Sequence, residues 1–262
     1  MRISSNYITR PYSQYQNRQI KSEIMPVSQP QVNFGQSFVP KFIKRMLVPK
    51  DVKKKAKFHC YLADKMKLYF DFNYGRRNYT VISIGRSLAS VVETLGKKRR
   101  DVVCLPLSGL SYELPSEIKN IEVYREFLKS KGLTKEIIAA NPDRHYVLVD
   151  NSISGRTLRN AKTFLSREDL LGNPDRLEIK SAEEIYGDKY NKLSMNYLFA
   201  SDEFQEFSPV GCLHLQDLKY TFEQANYKTC GMYETKSRLF RKKLFDFSIQ
   251  DIIDRSNKKR TR

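Results

Sequence analysis

The run Tyr146-Val-Leu-Val-Asp150-Asn-Ser-Ile-Ser-Gly155-Arg-Thr157 restricts the folds open to this chain more than any other stretch. Val147 to Val149 lack the alternation of a strand with one wet face, so a strand buried on both faces is expected, as parallel α/β sheets require. Sheets of that kind carry their chemistry at the carboxyl ends of the strands. There Ser154, Gly155 and Thr157 offer short side chains and an open backbone, and Leu158, Ala161, Phe164 and Leu165 continue at helical spacing. The amides that open such a helix are a seat for a phosphate, because free N–H groups and the positive end of the helix dipole converge there. The competing reading is an ordinary βα turn in which Asp150 serves as a helix cap.

A second turn of the same kind lies upstream. Tyr79-Thr-Val-Ile-Ser-Ile84 reads as a strand, and Gly85-Arg86-Ser87 as a tight turn into a helix carrying Leu88, Val91, Val92 and Leu95. Gly96 is expected to end that helix, and Asp101-Val-Val-Cys-Leu-Pro106 to form the next strand. Strand, helix, strand over so short a span is a βαβ unit, hence parallel pairing.

An acid, a polar residue, a small-residue turn, Gly, any residue and Thr after a buried strand resemble the phosphoribosyl-pyrophosphate loop of type I phosphoribosyltransferases. The family has two adjacent acids followed by a Thr-Gly-x-Thr-like turn. Here Asn151 stands in place of the second acid, and the segment from Asp150 to Thr157 is one residue short. The resemblance implies that Asp150 holds ribose hydroxyls as the catalytic acid of the site, and that Asn151, Ser154, Gly155, Arg156 and Thr157 complete the ribose and 5′-phosphate contacts. It implies that Gly85, Arg86 and Ser87 grip the pyrophosphate, Arg86 through charge and Ser87 through hydrogen bonds. The implied ligand is phosphoribosyl pyrophosphate or a nucleotide, with Mg2+ carried on the substrate of an active transferase and no metal bound by the protein itself. Asn151 can hydrogen-bond a hydroxyl but brings no charge to a magnesium-bound anion. A protein that keeps the cradle without the chemistry is therefore the second reading.

A third reading is a serine hydrolase. Gly85-x-Ser87-x-Ala89 between strand and helix has the form of a nucleophile elbow, and Ser87, Asp150 and His214 follow in the order of the α/β-hydrolase triad. The segment before residue 79 has no room for the strands that precede such an elbow, and His214 in Cys212-Leu-His-Leu-Gln reads as a packed or capping residue.

Forty per cent hydrophobic and 12% aromatic residues among 262 can build a core, and no apolar run approaches the ~20 residues of a membrane span. Cys60, Cys104, Cys212 and Cys230 are scattered, which indicates a reducing compartment such as the cytoplasm rather than a disulfide scaffold or zinc ribbon. His59, His145 and His214 are too few for a multi-histidine metal site. With 47 basic residues against 29 acidic, the formal charge is +18. The basic residues cluster between Lys41 and Lys57 and again from Arg238 to Arg262, as a solvated face or as a surface for nucleic acid. No zinc-finger, ribonucleoprotein or basic-zipper motif sharpens the second choice.

The expected architecture is an α/β domain with a parallel sheet flanked by helices, phosphoribosyltransferase-like, over residues 51–210. A flexible basic tail, 1–50, precedes it, and a helical segment, 211–262, closes it as the hood that the resemblance calls for. The tail has three arginines and one acid, Glu23, before Pro26, a faint likeness to a secretion or transit leader without an apolar core. Within the domain, Asp51 to Phe72 is an amphipathic helix with Phe58, Leu62, Met66 and Tyr69 on one face. Ser116 to Lys131 is another, stopped by Gly132, and Leu177-Glu-Ile179 is a fourth strand. Met195 to Ala200 is ambiguous between strand and helix. Leu215 to Asn226 and Glu234 to Phe247 read as helices, the latter with Leu239, Phe240, Leu244 and Phe247 spaced for packing.

Overall fold

The computed structural model describes residues 40–76, 78–98, 101–108, 121–151, 155–172, 174–187, 205–210, 213–214 and 236–260. The chain divides into two units, Met1–Val39 and Pro40–Arg262, and every described residue lies in the second. In chain order the elements are α1 (Lys41–Leu47), α2 (Lys50–Tyr74), β1 (Tyr79–Ile84), α3 (Ala89–Lys97), β2 (Asp101–Leu105) and β3 (Leu107–Ser108). They continue with α4 (Ile121–Ser130), α5 (Lys135–Ala140), β4 (His145–Asp150), α6 (Arg156–Leu165), β5 (Leu177–Ser181), α7 (Ala182–Tyr186), β6 (Leu213–His214) and α8 (Lys236–Arg260). Two of these fall in the span read as a tail: α1 forms a helix there, and α2 already begins at Lys50.

Four strands form a parallel sheet in the order β2-β1-β4-β5. β1 and β4 occupy its centre, and their register pairs Val81 with Val147 and Ser83 with Val149. All six residues of β1 are buried, as a strand covered on both faces demands. Successive side chains serve two cores. Ile82, Ile84, Tyr146 and Leu148 pack with α4, α5 and α6 on one face. Tyr79, Val81, Val147 and Val149 pack with α2, α3 and α7 on the other. Truncating a fully buried residue such as Leu148 to alanine removes contacts on a face that cannot collapse, at a cost of about 2–5 kcal/mol.

The carboxyl-terminal segment is part of the same packing. Phe245, Ile249 and Ile253 of α8 meet Val52, Ala56 and Cys60 of α2, and Phe245 stacks on Phe207 with ring centroids 4.1 Å apart. Leu239 and Phe240, expected to pack, are exposed, because the buried stripe of α8 begins further on, at Phe245. Residues of both basic clusters are paired here. Arg45 pairs with Asp251, Lys55 with Glu206, Arg241 with Asp51 and Glu206, and Lys242 with Glu93 and Asp246. The pairs made by Arg45 and Arg241 and the Lys242–Glu93 pair join the terminal helix to the body of the unit, so several residues of the two basic clusters face acids of this chain.

Gly96 does not end α3. It lies inside the helix where an added β-carbon would stand 2.5 Å from Val102 Cγ2, so its role is to let α3 approach β2 closely. Beyond Pro106, Leu107–Ser108 form β3, which pairs in parallel with β6, Ser108 opposite His214. Met195 to Ala200 and Leu215 to Asn226 lie outside the described residues. Among the described residues no helix is long and apolar enough to cross a membrane. Cys60 and Cys104 are free thiols, each pushed up to about 11 by burial.

Candidate functional site

The chain runs from β1 outward to β2 and then returns to place β4 on the opposite side of β1. The sheet therefore has a switch point between β1 and β4, where the connections leave in opposite directions and open a crevice above the strand ends. Because the two strands are parallel and in register, the turn after β1 and the turn after β4 open at the same end of the sheet. Gly85, Arg86, Ser87, Asp150, Asn151, Gly155, Arg156 and Thr157 all belong to these two turns. Ser154 lies outside the described residues.

Asp150 is buried with 7% of its surface exposed, at the last position of a central strand. Burial raises its pKa to about 7, while hydrogen bonds from the Asn151 backbone N–H and the Ser87 hydroxyl act in the opposite direction. Thus residues 63 positions apart in sequence meet because β1 and β4 are neighbours. The same bond bears on the hydrolase reading. A catalytic triad places a histidine between serine and acid, whereas the Ser87 side chain acts on Asp150 itself, lowering its pKa against the effect of burial.

The Gly85 turn is fixed by backbone. Gly85 sits at φ +66°, and its N–H donates to the Leu105 carbonyl at 2.8 Å. A β-carbon there would come within 2.9 Å of the Leu107 carbonyl oxygen, so only glycine fits. Its amide is consequently spent inside the protein, and the grip on an anion expected of Gly85 reduces to shaping the turn. Arg86 presents the opposite case. Its Nε and Nη1 are buried and find no hydrogen-bond partner among the described residues. Cationic donors left in that state are costly, and a negatively charged ligand would satisfy them.

The helices that leave the three strand ends begin differently. α7 has a capping box, in which Ser181 Oγ accepts from the Glu184 N–H at 3.2 Å and Glu184 Oε2 accepts from the Ser181 N–H at 2.8 Å. Two glutamates, Glu183 and Glu184, lie in its first turn. α3 and α6, which flank the switch point, have neither a side-chain cap nor an acid in the first turn. Apart from the Ala89 N–H of α3, which donates to the Arg86 carbonyl at 3.4 Å, their opening amides have no side-chain cap, which suits an anion from outside. Gly155 starts α6 at φ +66°, and Arg159 Nη1 lies 3.2 Å from where its β-carbon would be. Arg159 escaped the sequence reading; its signal was the three-residue spacing from Arg156, which brings both cations to the first turn of α6.

No protein-family model, no curated protein and no solved structure matches the chain.

The donor set of the crevice does not suit a resident divalent ion. Asp150 is the single carboxylate among the described residues of the two turns at the switch point, and its neighbour is the neutral Asn151. Among the described residues no group of three or more His, Cys, Asp or Glu side chains could hold a metal. A groove of about 800 Å3 lined by Thr80, Asp101, Val103, Arg144 and Tyr146 lies away from these turns and contains none of their residues. His214 enters only by register: its backbone lies opposite Ser108 on the short β3–β6 ribbon, whose Leu107 carbonyl abuts Gly85. Among the described residues of the 211–262 segment, it is that ribbon that lies next to the Gly85 turn.

Proposed function

We propose that this chain binds a ribose phosphate ligand, phosphoribosyl pyrophosphate or a nucleotide, over the carboxyl ends of β1 and β4. The observation that carries the proposal is the convergence, at the switch point of a parallel sheet, of an unsatisfied guanidinium on one turn with a buried carboxylate and an uncapped helix on the other. Cation, carboxylate and helix amides on neighbouring turns suit a molecule with an anionic end and neutral hydroxyls. The helix opening at Gly155 takes the 5′-phosphate, with Thr157 in its first turn. Asp150, linked to Ser87, accepts from ribose hydroxyls. Arg86 faces the second phosphate group. In a transferase this arrangement positions the ribose and neutralises the departing pyrophosphate while the bond to an acceptor base forms.

Calorimetric titration with phosphoribosyl pyrophosphate and with a nucleoside 5′-monophosphate tests the site. Asp150→Ala and Thr157→Val should each weaken binding about tenfold or more, since each removes a partner worth about 1–3 kcal/mol. Unchanged affinity in both variants would end the assignment. Binding without turnover is the second reading. It is favoured by Asn151 beside a single acid that burial pushes up to about 7. Pyrophosphate release in the presence of a panel of purine and pyrimidine bases separates the two readings, because only the transferase produces it.

A further inference from the structure

We infer that the crevice takes its phosphorylated ligand without a divalent metal ion, the countercharge coming from Arg86 with help from Arg159. This deepens the proposed function and rests on it. Magnesium needs near-octahedral oxygen donors and keeps several waters, so proteins that hold it on a substrate diphosphate contribute one or two accessible carboxylates. The crevice has a single candidate among the described residues, Asp150, almost fully buried and already accepting from Ser87 and from the Asn151 N–H. The next position, where a second acid would add charge and oxygen donors, is the neutral Asn151. No acid lies in the first turn of α3 or α6. Glu93, further along α3, is engaged by Lys242 at 3.0 Å.

The positive charge that a metal would bring is instead built into the chain. Arg86 holds Nε and Nη1 buried with no partner among the described residues, two donors of a planar fork that matches phosphate oxygens. Arg159 lies against Gly155 at the opening of α6, where the other phosphate is seated. A guanidinium can supply at this spot the countercharge that a metal would bring, and the residues present provide the guanidinium. The ligand class that follows is a phosphate ester or diphosphate of ribose in its metal-free form.

The test is calorimetric titration of the full chain with ribose 5-phosphate and with phosphoribosyl pyrophosphate, each in excess EDTA and again in millimolar magnesium chloride. For at least one probe, affinity in EDTA within about threefold of that in magnesium supports the inference. Binding that appears only with magnesium overturns it and leaves the proposed function standing, whereas absence of binding in both buffers overturns both. Arg86→Gln should lose about tenfold or more of the affinity in EDTA, and magnesium should not restore it. Its melting temperature should hold or rise, where a purely structural arginine would lower it. Arg86→Lys keeps the charge without the fork and should fall between the two. Wild-type affinity of Arg86→Gln in EDTA would also overturn the inference.

Discussion

The two ends of the sheet treat charge in opposite ways. At the amino-terminal ends of the strands Arg144 and Glu178 each have company. Arg144 donates from Nε to Thr80 Oγ1 at 2.8 Å and from Nη2 to the Tyr79 carbonyl at 3.1 Å, and it also pairs with Asp101. Glu178 accepts from the Tyr74 hydroxyl at 2.8 Å and lies 2.7 Å from His145 Nδ1. Burial acts to raise the Glu178 pKa, yet the bonds to His145 and Tyr74 bring it below the usual range. At the carboxyl-terminal ends, two buried nitrogens of Arg86, Nε and Nη1, have no partner among the described residues, and Asp150 is pushed up to about 7. One end is settled by its own side chains, whereas the other stores unfavourable electrostatics that a ligand can relieve. Folds accept such a cost where binding is done.

The contrast can be broken by titration. Asp150 has its folded pKa raised, so between about 4 and about 7 the unfolded chain has lost a proton that the folded chain keeps. Stability from this group is full at low pH and is lost as pH rises through that window. Asp150→Asn should therefore gain on the wild type between pH 5 and pH 8, by on the order of 4 kcal/mol at most. Chemical denaturation at a series of pH values measures it, and parallel curves for the two proteins would show that Asp150 is not held neutral.

The two arginines sharpen the comparison by sign. Removing Arg86 takes away two buried nitrogens that lack partners, and Arg86→Gln should stabilise the unliganded protein by about 1–3 kcal/mol. Removing Arg144 breaks satisfied bonds, and Arg144→Gln should destabilise by about 2 kcal/mol. Urea midpoints of the pair decide this, and a loss in both would make Arg86 another structural arginine.

Smaller effects follow from the two glycines of the crevice. Gly85→Ala strains a positive φ and meets backbone, so a loss of about 2 kcal/mol or more is expected; Gly155→Ala meets the movable end of Arg159 and should lose about 1 kcal/mol. Equal losses would show that the Leu107 carbonyl yields. The smallest effect is at Glu178. Its pKa is depressed, so its contribution is present above the unfolded carboxyl range and is lost as pH falls through the folded value. With 37% of the side chain exposed, screening limits Glu178→Gln to about 1 kcal/mol at neutral pH, vanishing in acid. This pH trend runs opposite to that of Asp150, and thermal melts at pH 3 and pH 7 distinguish them.

The centre of the fold was legible in the sequence because it is written in local pattern. β1 follows Tyr79–Ile84 and β4 ends at Asp150, since a doubly covered strand needs an unbroken apolar run, and the turns at Gly85 and Gly155 follow from residues that accept positive φ. Elements whose pattern is not local were hidden. Two-residue strands such as β3 and β6 are too short to carry a period. α8 reaches Arg260 although its charged residues resemble a wet face, because their acid and base partners sit on other elements. In the crevice, residue types were readable, but the Ser87–Asp150 bond and the isolation of Arg86 depend on strand order, which no stretch of sequence states. Gly96 misled for a related reason: its need for space comes from Val102 across the βα unit, not from a helix end.

The most direct measurement of the central claim is the change in backbone amide resonances of the isotopically labelled protein on titration with phosphoribosyl pyrophosphate. The expected result is a set of shifts concentrated at Arg86, Ser87, Asn151, Gly155, Arg156 and Thr157, saturating together with one binding constant and absent in Asp150→Ala. Shifts centred instead on the groove bordered by Val103, Arg144 and Tyr146, or no saturable shifts at any concentration, would contradict a ligand site at the β1–β4 switch point.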